Sequence, residues 1–198
     1  MNYKIIMDEA ILHEFVEWLP DLKENECFYV SLFARKKYCQ SLIKSNDKTQ
    51  LKRFTANKIN LIDKIRHLEV PLGTYKLVDI TAPQESLVLY IMPNPRCMVK
   101  ACRLMLTHCA ELLAKDAKGY NLHQESLRCI QKSKSYNYIV DFDIDTKEVD
   151  LKLLNRVLPS WDNQCAYNIL ETKGGYHILV NPTRAETIDK NCKCKFEL

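Results

Sequence analysis

The strict alternation that runs from Tyr136 to Asp145 constrains this chain more than any other feature. In an extended strand Tyr136, Tyr138, Val140, Phe142 and Ile144 fall on one side, and Asn137, Ile139, Asp141, Asp143 and Asp145 fall on the other. The first side is unbroken and apolar, fit for a core. The second carries three carboxylates in a row, which repel one another and weaken a purely structural sheet unless a cation or solvent offsets them. A divalent ion is the economical answer, because carboxylates at i and i+2 can share hard Mg²⁺ or Mn²⁺. The plainer alternative is a strand that runs out into an acidic, solvated loop. A calcium loop of the EF-hand type is excluded: counted from Asp141, Thr146 stands where glycine is needed and Lys152 where glutamate is needed.

The residues that follow extend this into a sheet. Residues 149–158 predict a short amphipathic helix ended by Pro159, and residues 164–171 pair with 176–181 through a Lys173-Gly174-Gly175 turn. That order is the first part of a βαββαβ sheet of the RNA-recognition-motif (RRM) kind, without its closing helix and strand. Alternation in the last strand sends Tyr176, Ile178 and Val180 to a core and Gly175, His177 and Leu179 away from it. His177 follows two glycines and Lys173, where the backbone can approach a ligand closely and bare N–H groups can cradle phosphate. Taken alone, Lys-Gly-Gly is equally an ordinary β-turn.

Upstream, the pattern predicts a helix over 8–19 and a strand over 27–34 ending in the basic cluster Arg35-Lys36-Lys37. One or two surface helices are expected over 48–68, then short strands over 75–80 and 86–92. After Pro93-Asn94-Pro95 comes the clearest helix. Its stripe of Met98, Ala101, Cys102, Met105, Leu106, Cys109, Leu112 and Leu113 is expected to fill a core. A further helix over 122–131 precedes Lys132-Ser133-Lys134-Ser135, the best module boundary. Arg96 and Lys100, where the long helix starts, are candidates for holding phosphate at its N-terminus, against the alternative of a plain polar face. Tyr29, Tyr38 and Tyr75 are too sparsely interleaved with lysine to argue base stacking. The expected fold class is therefore α+β: a mixed helix/strand module over 1–133, packed on an RRM-like catalytic sheet over 134–198.

Composition adds boundaries. With 198 residues, 46% hydrophobic and 27% charged, the chain can bury a real core, and a net charge of +4 only mildly favours polyanions. Nine cysteines form no CxxC pair and read as reduced thiols. No apolar run reaches the roughly 20 residues of a membrane helix, and no signal peptide is expected, because Asp8 and Glu9 interrupt the only early apolar run. A cytoplasmic protein with no membrane association is expected.

Two motifs together carry a resemblance. YIVDFDID is similar to the first motif of the archaeo-eukaryotic primase (primase-polymerase) superfamily, a hydrophobic run followed by DxD or DxE. KGGYHILV resembles its second, S-x-H or G-x-H within a hydrophobic strand. LYIMPNPRCMVKA also looks like the small bacterial and phage-borne members. The resemblance, over about the last third of the chain, implies template-dependent nucleotidyl transfer by two metal ions, Mg²⁺ or Mn²⁺. It implies that Asp141 and Asp143 bind them and that Lys173, Gly175 and His177 contact the triphosphate. Asp145, on the same face, is a further candidate ligand. The implied partners are nucleoside triphosphates, a DNA or RNA template, and a helicase or other replication or defence protein. Two departures stand out. Gly175 replaces the family's serine, removing a hydroxyl but leaving an N–H. The family's third carboxylate has only Glu186, Asp189 and Glu197 as downstream candidates. The alternatives are a catalytically reduced, primase-like module that binds nucleotide or nucleic acid within a complex, and, more remotely, an unrelated metal-dependent phosphoesterase.

Overall fold

The computed structural model describes residues 1–39, 48–77, 80–116, 118–135, 139–150, 152 and 166–181. It is a mixed α+β structure with antiparallel sheets, divided into two compact units, Met1–Tyr136 and Asn137–Leu198. No helix of the described residues is long and apolar enough to cross a membrane.

In the first unit, helix α1 (Glu9–Trp18) starts at Asp8, whose carboxylate accepts the Ile11 N–H at 3.0 Å. Strand β1 (Glu26–Arg35) is the centre of a sheet in the order β2-β1-β5, with β2 at Lys48–Ala56 and β5 at Leu87–Cys97, both antiparallel to it. Phe28, Val30, Leu32 and Ala34 alternate along one buried face of β1, and Leu32 and Ala34 join Tyr3, Leu68, Tyr75, Leu77 and Ala82 in a single core cluster. Helix α2 (Lys58–Arg66) begins in a reciprocal Asn57–Asn60 capping box and buries Leu61 and Ile65 completely. A small hairpin, β3 (Lys76–Leu77) with β4 (Ile80–Thr81), follows.

Three sequence expectations change here. The helix expected from residue 48 begins only at Lys58: residues 48–56 form β2, because their exposure alternates in twos and β1 offers them an unpaired edge. Strand β5 continues through Pro93 and Pro95, where β1 pairing is irregular between Cys27 and Tyr29 and so tolerates residues that cannot donate. Finally, helix α3 (Met98–Ala114) packs on helix α4 (Leu122–Lys132), with His108 Nε2 and Glu125 Oε2 3.0 Å apart. Of the expected stripe only Ala101 is fully buried; Cys102 is exposed, and Leu106 and Leu113 remain 72% and 71% exposed. The apolar band is wider than the face that its neighbours cover.

In the second unit, β8 (Tyr176–Asn181) lies between β6 (Val140–Ile144) and β7 (Ala166–Glu171), all antiparallel, in the order β6-β8-β7. The expected helix over 149–158 lies largely outside the described residues, as do Glu186, Asp189 and Glu197. Both faces of the central strand are covered: Tyr176, Ile178 and Val180 are buried on one, and Leu179 on the other. Phe142, expected in the core, is 42% exposed, because β6 is an edge strand and its apolar face is incompletely covered.

Candidate functional site

The register of β6 on β8 decides the site. Asp143 pairs with His177 and Asp141 with Leu179, and residues directly opposite in an antiparallel pair share a face. Asp141, Asp143 and His177 therefore stand together, with Asn168 and Leu170 of β7 continuing the same face through their pairing with Leu179 and His177. All three aspartates, Asp145 included, are exposed.

The imidazole lies between the two carboxylates. Its Nδ1 donates to Asp141 Oδ1 at 2.9 Å, and its Nε2 is 3.6 Å from Asp143 Oδ1. The hydrogen bond to Asp141 holds the His177 pKa above its ordinary value. Partial burial opposes this, and the charges of Asp141, Asp143 and Asp145 add to it. When protonated, the ring offsets the repulsion between the carboxylates of this strand face.

The hairpin turn is tied differently from the expectation. Thr172 N–H donates to the Gly175 carbonyl at 2.8 Å, and Gly175 N–H donates to Thr172 Oγ1 at 3.2 Å. The Gly175 amide is already used, so it is not the bare phosphate-binding N–H that the motif suggested. What requires glycine here is space. A Cβ on Gly175 would lie 1.8 Å from the Ile144 carbonyl oxygen and 2.8 Å from the Thr146 nitrogen, both backbone atoms that no side-chain rotation can move aside. The serine usual in the resembled motif does not fit this approach. The corner is closed by Lys147, whose Nζ lies 2.8 Å from Glu171 Oε1. Reading the sequence missed Thr172, Lys147 and Glu171; Thr-x-x-Gly was a legible turn signal, but the ion pair depends on the register.

Lys173 is exposed in the turn. Arg96 and Lys100 belong to the first unit. Lys100 Nζ donates to the Lys134 carbonyl at 3.1 Å, and Arg96 is buried, 9% exposed, with Nη2 2.8 Å from Met92 Sδ. Arg96 therefore does not stand free at the start of α3 as the sequence suggested.

As a hard-oxygen donor set, Asp141, Asp143 and Asp145 suit Mg²⁺ or Mn²⁺ chemically. Among the described residues, however, no group of three or more ligands is already convergent. The imidazole occupies the position between Asp141 and Asp143, and an ion joining both would require it to turn aside.

No protein-family model, curated protein or solved structure matches this chain. The assignment of function therefore rests on the site's own chemistry.

Proposed function

We propose that the chain is a nucleotidyltransferase of the primase-polymerase type, with an RRM-like sheet formed around β6, β8 and β7. The observation that carries the reading is the pairing of Asp143 with His177, which gathers both sequence motifs on one sheet face with both carboxylates exposed. Asp141 and Asp143, joined by Asp145, would hold divalent cations. Such ions, when bound, supply charge stabilisation to the attacking and leaving oxygens of phosphoryl transfer. His177 is held at Nδ1 by Asp141 and offers its Nε2 to an incoming phosphate; Lys173 adds a point charge at the neighbouring turn. Glu171 and Lys147 fix the corner that carries the turn.

The test is Mn²⁺-dependent binding and template-directed incorporation of labelled nucleoside triphosphates by the wild type and by Asp141→Ala. Loss of both in the variant supports the reading; undiminished incorporation refutes it. Binding without incorporation in the wild type identifies the reduced, binding-only module instead.

A further inference from the structure

The face of β1 opposite the core has an unusual composition. Pairing places Phe33 and Arg35 of β1 beside Lys48 and Gln50 of β2 and Val88 of β5, with Ser31 between Arg53 and Tyr90. None of the residues that the three strands place on this face is acidic. Arg35 and Lys48 are directly opposite one another, a like-charge cross-strand pair of the kind that destabilises a sheet.

Aromatic rings lie among these cations. Phe33 and Tyr90 meet edge to face, with centroids 5.3 Å apart, and Lys48 Nζ lies 4.3 Å from the first ring centre and 4.0 Å from the second. Arg35 donates to Tyr90 Oη. This end of the sheet is half-buried to exposed, whereas the Tyr29 end is closed and Arg53 there donates to the Gln124 carbonyl of α4 at 3.1 Å. Among the described residues, Tyr29 Oη at the closed end is buried without a hydrogen-bond partner. At the open end, among the described residues, two half-buried rings thus carry the Lys48 ammonium over them and the Arg35 guanidinium beside them.

We propose that the open Phe33–Tyr90 end of this sheet binds single-stranded nucleic acid. One base replaces the Lys48 ammonium against the rings, and Lys48 and Arg35 take the adjacent phosphates. Stacking suits strands of any sequence, since every base has a π-face, and the cations supply counterion release. A double helix, its bases already stacked, cannot use the rings. The inference deepens the proposed function by giving its template a docking surface, yet its grounds are separate from the Asp141 site.

The experiment is fluorescence anisotropy of labelled oligothymidine and oligouridine with the full chain in EDTA, between about 50 and 200 mM salt. The variants are Lys48→Glu, Arg35→Gln and Tyr90→Leu, each checked for an unchanged circular dichroism spectrum. The expected result is salt-sensitive binding that Lys48→Glu weakens about tenfold or more, with a salt slope shallower by about one. Tyr90→Leu is expected to weaken oligonucleotide binding while leaving heparin binding intact. Comparing the two oligomers shows whether DNA or RNA is preferred. Absence of binding by the wild type at low salt overturns the proposal. So does wild-type affinity in the Lys48 and Tyr90 variants, or parallel losses for heparin and oligonucleotide in Tyr90→Leu. Manganese-nucleotide binding is measured on the same samples. Its absence from a wild type that still binds oligonucleotide condemns the catalytic reading and leaves this one standing.

Discussion

Substituting Gly175 tests how the candidate site is built. In Gly175→Ala the new Cβ stands 1.8 Å from the Ile144 oxygen, about 1.6 Å short of ordinary contact. Both atoms in the clash belong to backbone or its immediate branch, so relief requires the end of β6 to separate from β8. The Ile144–Tyr176 pair, next to Asp143–His177, opens first. Overpacking of this kind costs about 1–3 kcal/mol, and each ladder hydrogen bond lost adds roughly 1 kcal/mol. A total of about 2–4 kcal/mol in a unit of this size corresponds to a melting point lower by roughly 10–20 °C for that unit. Gly175→Ser should behave alike, although it restores the residue of the resembled motif. Thermal unfolding followed by circular dichroism gives the stability, and amide hydrogen exchange at Ile144 and Tyr176 locates the damage. If both variants melt within about 1 °C of the wild type, the close approach is not real and the argument for glycine fails.

Three further outcomes are expected. His177 has a raised pKa in the folded state, so its stabilising contribution is complete below its unfolded value near 6.5 and is lost as pH rises through the folded value; His177→Gln should flatten that part of the melting-temperature profile, and an unchanged profile would discount the Asp141 contact. Lys173→Ala should weaken triphosphate binding more than monophosphate binding in a calorimetric titration, because a lysine at this turn meets the β- or γ-phosphate; equal losses would reduce it to a turn residue. Leu61→Ala should cost about 2–5 kcal/mol in denaturant unfolding, whereas Leu106→Lys, on the exposed side of α3, should change stability by less than about 0.5 kcal/mol; a large loss at Leu106 would show that face to be covered.

Local pattern alone determined much of this protein. Alternation through Asp141, Asp143 and Asp145 established a strand with an acidic face. The Lys173-Gly174-Gly175 turn between apolar runs established the hairpin. These are short-range consequences of side-chain direction and backbone preference, legible within a few residues. Tertiary structure decided the rest. Residues 48–56 contain enough leucine and phenylalanine spacing for a helix, and only the open edge of β1 made them a strand. The long apolar band on α3 could not tell which part of it would be covered. Gly175 read as a phosphate-binding position until the Ile144 carbonyl beside it showed a need for space, and its N–H proved to be bound to Thr172. The imidazole between Asp141 and Asp143, and the Arg35–Lys48 pair beside Phe33 and Tyr90, depend on strand register. Register is set by burial across the whole sheet, so partners 36 or 13 positions apart in sequence meet only after the chain has folded.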